Sequence, residues 1–339
     1  MVKETRRTTS ILVTGGTGFL GLPLVECLLQ QGQRVRVLGR RPVVRWRHNP
    51  HVEHIRADVA EPGVIESALD GITHVYHLAA ATQGEWATYQ AVTVDATTRL
   101  FERLVAQGDG RIVFVSSLGN YDGHTMQDGS IVDKNSPCEQ NPQGRANYAR
   151  AKVEAERIAQ RYLTHPKLGL TIVRPGIIYG PGMKNPLTGV AFNIGKMIRC
   201  ILGRGDKPLP LIYIEDVVRA LVQIMHSPSA ISKVYNLVHP EMPTQNAYLR
   251  LYQKLSSDRR PVLRIPLQRL VPLLRLVDCM MRIFHGRDLQ LAYKAARLGK
   301  RVYYSGTLVT KDTEFKASVC LKEGLNKMFS QIDDAPYQL

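Results

Sequence analysis

Ile11-Leu12-Val13-Thr14-Gly15-Gly16-Thr17-Gly18-Phe19-Leu20-Gly21 is an apolar run of strand length that ends in a glycine-rich turn. From Phe19 to Gln31 the pattern is helical, and Gly32 closes it. A strand that turns sharply into a helix aims the helix N-terminus, with its unpaired N–H groups, at whatever lies over the turn. A dinucleotide pyrophosphate requires that dipole and a close backbone approach. Gly15 allows the tight turn, Gly18 the close approach, and Gly21 the packing of helix on strand. Thr17, Phe19 and Leu20 share the turn and are read with it as cofactor-binding. The spacing, Gly-x-x-Gly-x-x-Gly, is longer than the commonest form of this motif.

Outward from the turn, short apolar runs alternate with helical patterns. Arg34–Leu38, Val52–Ala57, Thr73–Leu78, Arg111–Ser116 and Leu170–Arg174 read as strands, with helices over Thr88–Gln107 and Asn147–Thr164. That alternation implies right-handed βαβ units, and so an α/β fold with a Rossmann-type, doubly wound parallel sheet. After Pro175 glycine and proline become frequent and the alternation loses regularity. Residues 10–175 are therefore expected to form the dinucleotide-binding domain. Residues 176–339 are expected to form mainly a smaller, interleaved substrate-binding lobe, with some elements that complete the sheet.

The 339 residues carry a formal net charge of +16. No zinc-finger spacing, recognition helix or aromatic-basic stripe accompanies that charge, so nucleic acid is not an expected partner. The five cysteines, Cys27, Cys138, Cys200, Cys279 and Cys320, are scattered without metal-ligand spacing. They fit a reducing compartment, and neither a metal nor a disulfide framework is expected. The polar, basic N-terminus lacks the apolar core of a signal peptide, so the expected location is cytoplasmic.

The end of the second strand bears on the choice of cofactor. An NAD enzyme places a carboxylate there for the ribose hydroxyls. This chain reads Val37-Leu38-Gly39-Arg40-Arg41. Arg40 and Arg41 suit a 2′-phosphate, which a carboxylate would repel. NADP(H) is favoured, with NAD(H) the alternative. Asp58, followed by Val59, stands where an acid could accept from the adenine amino group; a helix N-terminal acid is the plain alternative. Leu78, Ala79 and Ala80 are small enough to let the cofactor lie against them.

Tyr148 and Lys152 are four apart in Tyr148-Ala149-Arg150-Ala151-Lys152 and so share one helical face. A phenol titrates near pH 10, and an ammonium beside it favours the phenolate. Ser117, at the end of the fifth strand, could orient a substrate oxygen against Tyr148; Ser116 is the alternative, although alternation turns it away. His77 reads as a packed histidine beside the cleft rather than a titrating one.

Together these residues resemble the extended short-chain dehydrogenase/reductase family. Arg174-Pro175-Gly176-Ile177-Ile178-Tyr179-Gly180-Pro181-Gly182 and Tyr213-Ile214-Glu215-Asp216-Val217 add to the likeness, which spans Ile11 to about Ala220. The resemblance implies a nicotinamide cofactor, hydride transfer at a secondary alcohol or ketone carbon, and Ser117, Tyr148 and Lys152 as the catalytic trio. It also places Pro175, Ile177 and Ile178 at the nicotinamide. Two departures stand out. Thr93 occupies a position where the family usually has asparagine. The stretch Gly203–Ile212 carries leucine and proline where nucleotide-sugar members carry a Gln and an Arg-Asp pair, although Arg204 or Lys207 could still meet a phosphate.

The expected function is thus an NADP(H)-dependent oxidoreductase acting on a moderately apolar small molecule, sterol-like or polyketide-like. A nucleotide-sugar epimerase/dehydratase and a non-catalytic NADP-sensing protein are the alternatives. Residues 262–284 read as a basic amphipathic stretch. Its apolar positions Leu267, Leu270, Val271, Leu274, Val277, Met281 and Phe284 suit packing on the second lobe or, alternatively, peripheral membrane contact. Pro272 is expected to kink or begin its helix. Relatives with this fold often pair, so a homodimer is an option. The basic residues Arg287, Lys294, Arg297, Lys300 and Arg301 are expected to add positive field without a specific role.

Overall fold

The computed structural model describes residues 10–330, save 109, 124, 196, 286–290, 293, 294 and 296–298. The expectations for Arg287, Lys294 and Arg297 lie outside the described residues.

Seven strands form one parallel sheet: β1 (Ser10–Thr14), β2 (Arg34–Leu38), β3 (Val52–Ile55), β4 (His74–His77), β5 (Gly110–Val115), β6 (Leu168–Pro175) and β7 (Lys233–Leu237). Their order is β7-β6-β5-β4-β1-β2-β3, so the chain reverses direction across the sheet at β1. A central parallel strand must be apolar on both faces. In β1, Ile11 and Val13 enter one core layer and Leu12 the other. The first layer is completed by α1 (Gly21–Gln30) and α4 (Ile214–His226), the second by α2 (Ala96–Gln107) and α3 (Asn147–Arg161). Helix α1 ends at Gly32, whose φ of +73° lets Gln33 N–H reach the carbonyl of Leu28 at 3.0 Å.

The second lobe holds a three-stranded sheet of 192–194, 198–202 and 262–265, and a parallel pair of 177–179 with 211–213. Helices α5 (Gln245–Leu255) and α7 (Leu321–Ser330) pack on it around Tyr179, Tyr213, Tyr248 and Leu325. The chain returns to the main sheet with α4 and β7 before re-entering this lobe.

Two elements differ from the sequence reading. The single helix expected over Thr88–Gln107 is interrupted: a turn at Trp86–Tyr89 passes into a π-helical turn, Gln90–Asp95, before α2 begins. Within that turn the Thr93 hydroxyl accepts the N–H of Ala81 at 2.9 Å and so ties it to the segment after β4. The 262–284 stretch is also divided. Val262–Ile265 is a strand, and α6 (Leu267–His285) starts after Pro266 and runs through Pro272 rather than starting there. The carbonyl of Pro266 accepts from both Arg269 and Leu270 N–H at 3.1 Å, which sets the helix start five residues earlier.

Candidate active site

The glycine turn lies at the C-terminal end of β1, where the strand order reverses and neighbouring connections leave in opposite directions. Gly15 has φ +69°, and a Cβ there would stand 2.9 Å from the N of Ala79 at the end of β4. A Cβ on Gly21 would come within 2.2 Å of the Gly15 carbonyl, and one on Gly18 within 3.1 Å. The turn is therefore folded to a closeness only glycine permits, and it leaves a backbone cradle at the start of α1. Such a cradle fits a pyrophosphate. Gly39 is a further requirement that sequence reasoning left without a role: a Cβ there would meet the Thr17 hydroxyl at 2.5 Å. Phe19 and Leu20 are half-buried and turn into the cores beneath.

The two arginines after β2 occupy different positions. Arg41 donates to the Thr17 carbonyl at 2.9 Å and so ties its loop to the glycine turn. Arg40 is 72 % exposed and reaches Asp58 at 3.3 Å. Asp58 also accepts from Ala60 N–H at 3.0 Å, while its own N–H donates to Glu61 at 2.9 Å, which closes a turn ahead of the short helix Val64–Ala68. Val59 is buried. Leu78, Ala79 and Ala80 are half-buried, with Ala79 against the glycine turn at Gly15.

His77, at the end of β4, is fully enclosed. Its Nδ1 lies 2.6 Å from the Thr14 hydroxyl and its Nε2 3.0 Å from that of Thr97. Burial, with a lesser push from Lys152, lowers its pKa to about 3, so it is neutral and holds β1, β4 and α2 together. The unfolded imidazole titrates near 6.5. Unfolded chains thus bind a proton that the folded one refuses, and the associated stability, complete above that pH, is lost as pH falls towards 3. Unfolding free energies from urea titrations across this range should decline more steeply in the wild type than in His77→Asn, by up to about 1.4 kcal/mol per pH unit. Parallel declines would refute the assignment.

Helix α3 carries Tyr148 in its first turn and Lys152 one turn on. Lys152 is buried and donates to the carbonyl of Val115 at 2.8 Å, which places its ammonium at the end of β5. Burial lowers its pKa to about 8, against an upward pull from Glu156. Tyr148 differs from the expectation of a phenol lowered by Lys152. Its side chain is 41 % exposed, yet its pKa is raised, by desolvation at the hydroxyl and by Tyr89. The lysine's bond is made to Val115 instead. Ser117 follows directly, capping a short turn by accepting Gly119 N–H at 3.0 Å. That leaves its hydroxyl proton to donate. Pro175 is buried, Ile177 and Ile178 are half-buried, and a Cβ on Gly176 would overlap the Pro210 carbonyl at 2.0 Å.

Ser116 faces the other way, into a buried cluster that sequence reasoning missed. Its hydroxyl donates to Glu156, as does Asn120 at 2.6 Å. Arg174 grips the same carboxylate with Nε at 2.9 Å and with Nη2, and its guanidinium lies 4.6 Å from the Tyr121 ring centroid. Asn120 reaches the carbonyl of Lys152 at 3.2 Å, so the cluster bears directly on the lysine's backbone.

The loop after Ser117 is held from far along the chain. Lys300 donates to the carbonyls of Gly123 and Met126 at 3.1 and 2.9 Å. Arg301 pairs with Asp128, and Tyr303-Tyr304 lies parallel to Ile131-Val132. Lys300 and Arg301 thus have specific partners, beyond the general field expected of them.

A glycine cradle at the switch point of a doubly wound sheet, with a buried lysine at the same end of the sheet two strands away and a tyrosine one helical turn before it, defines a Rossmann-type NAD(P)-binding enzyme. The sequence model of the NAD dependent epimerase/dehydratase family matches residues 11–237, and the chain belongs to that family. It is 26% identical over 341 residues to "2-alkyl-3-oxoalkanoate reductase" of Stenotrophomonas maltophilia (strain K279a), covering 94% of this chain and 98% of the relative. With "Sterol demethylase protein B" of Methylococcus capsulatus it shares 30% identity over 306 residues, 86% of this chain and 89% of the other. Its fold is similar to the crystal structure of UDP-glucuronic acid 4-epimerase from Bacillus cereus in complex with NAD. The TM-score is 0.74 at 17% identity, covering 96% and 99% of the two chains.

Proposed function

We propose that the chain is an NADP(H)-dependent oxidoreductase that interconverts a secondary alcohol and a ketone on a moderately apolar, sterol-like or polyketide-like small molecule. The reading is supported by a buried lysine held at the C-terminal end of β5, with Tyr148 one helical turn before it and Ser117 just after the strand, on the same end of the sheet as the glycine cradle. The cofactor, when bound, supplies or accepts the hydride. Gly15, Thr17, Gly18 and the start of α1 would hold its pyrophosphate, and Arg40 and Arg41 its 2′-phosphate. Ser117, its lone pair taken by Gly119, would donate to the substrate oxygen and fix it. Tyr148 would pass that oxygen its proton, and Lys152 would hold the ribose hydroxyls and the site's positive charge. Residues 176–339 would supply most of the substrate's walls.

An apolar substrate is favoured by the stretch where nucleotide-sugar enzymes are polar. Leu209 and Leu211 here are 0% and 2% exposed and fill the core of the second lobe, so the segment presents no amide or guanidinium from Pro208 to Ile212. The names of two relatives agree: a 3-oxoalkanoate is a ketone on a hydrocarbon chain, and a sterol is largely apolar.

Cofactor preference is tested by titrating the purified protein with NADPH and NADH while following reduced-cofactor fluorescence. NADPH should bind at least about tenfold more tightly, as hydrogen bonds to a charged phosphate imply. The double variant Arg40→Ala/Arg41→Ala should lose that preference and keep NADH binding. Equal or tighter binding of NADH by the wild type would sink the NADP(H) assignment and bring the epimerase reading forward.

A further inference from the structure

Helix α6 is apolar on two sides and covered on one. Leu267, Leu270, Val271, Leu274, Val277 and Met281 are half-buried, and Asp278 between them is buried, accepting from the N–H groups of Leu291 and Ala292 at 2.9 Å. On the opposite side Leu273, Leu276, Met280, Ile283 and Phe284 are 49% to 72% exposed. Their spacing of three and four residues draws a single stripe along the helix. Phe284, expected on the inward face, belongs to this outer stripe. Arg275 and Arg282, seven apart, edge the stripe, and Arg269 stands exposed in the first turn. The apolar surface continues through Pro266 into the strand before it. There the register sets exposed Leu263 on the same sheet face as Phe192, Ile194 and Ile198, all 39% to 49% exposed.

We propose that this face of α6 rests on an anionic lipid surface. The stripe would enter the boundary between headgroups and acyl chains, and the flanking arginines would meet lipid phosphates. Charge decides the occupant. Along α6 the sequence has three arginines, Arg269, Arg275 and Arg282, and one acid, Asp278, which is buried and turned inward, while Arg260 before the helix is paired with Asp258. A second copy of this chain seated on the stripe would bring those arginines against their own kind. An anionic bilayer offers apolar depth and negative charge together, and the chain's net charge of +16 draws it there. No helix among the described residues is long and apolar enough to cross a membrane, so the contact is with one leaflet. This surface is independent of the substrate assigned above.

The test is co-sedimentation of the full chain with vesicles of equimolar phosphatidylcholine and phosphatidylglycerol, and with phosphatidylcholine alone. The mixed vesicles should bind it, and raised salt should release it. Ile283→Ser/Phe284→Ser, both at exposed positions, should weaken binding about a hundredfold. Arg275→Gln/Arg282→Gln should weaken it about thirtyfold on the mixed vesicles. Both variants should keep the wild-type circular dichroism spectrum and cofactor affinity. Failure of the wild type to bind mixed vesicles overturns the proposal, as does unchanged binding by the variants. So does a concentration-dependent dimer in sedimentation equilibrium that Ile283→Ser/Phe284→Ser dissociates, which would assign the stripe to a second copy.

Discussion

Tyr148→Phe should lower turnover between about a hundredfold and ten-thousandfold, the range that a positioned proton donor contributes. The substitution removes one oxygen and nothing else. Phenylalanine keeps the ring, which is 41 % exposed although its hydroxyl end is desolvated, so the change opens no large cavity. The glycine cradle lies on other elements, so reduced-cofactor binding should be unchanged. The loss should fall on kcat rather than KM, because the missing hydroxyl acts on the reacting oxygen. The raised pKa of the phenol is consistent with a group that begins the reduction protonated. Turnover at the wild-type rate in Tyr148→Phe would remove Tyr148 from the chemistry and leave Ser117 and Lys152 without a proton to govern.

The largest effect on stability is expected at Glu156. Its carboxylate is 3% exposed and accepts from Arg174, Ser116 and Asn120. Through these bonds it joins α3 to the ends of β5 and β6. In Glu156→Ala the guanidinium of Arg174, 2% exposed, would remain buried with its counter-charge gone. Breaking a buried pair in this way costs about 3–5 kcal/mol, which corresponds to a fall in Tm on the order of 10 °C. Pairing the change with Arg174→Met should recover much of the loss, since two apolar groups leave no uncompensated charge. A Tm for Glu156→Ala near that of the wild type would mean that water reaches Arg174 and that the cluster carries no strain of desolvation. The cluster also fixes the backbone at Lys152 through Asn120, so the double variant separates stability from catalysis: it can refold well and still turn over slowly.

Much of the frame was legible because its signals are local. The apolar run into Gly15, the alternation in Val35 and Val37, and the buried run of β5 each follow from neighbours in sequence. The glycine requirements at 15, 18 and 21 were readable for the same reason. What escaped depends on partners far away. Glu156 looks like any carboxylate on a polar helix, and the available clue was Arg174, a charge closing an otherwise apolar strand and so in need of an acid. The π-helical turn at 90–95 escaped because apolar spacing over so few residues does not separate it from an ordinary helix. On α6 the inward face was read correctly at six of its seven positions. The second apolar stripe was overlooked because it interleaves with the first, and only the packing separates Phe284 from Met281.

The loop behind Ser117 waits for its partners. Arg301 meets Asp128 across 173 residues of chain, and Lys300 meets Gly123 across 177. At synthesis rates of about 5–20 residues per second, the loop leaves the ribosome roughly 10–35 s before the segment that clasps it. During that interval β1 to β6 can pair in the order they emerge, each against a strand already made. The nascent chain therefore holds a nearly complete sheet with an unfastened rim.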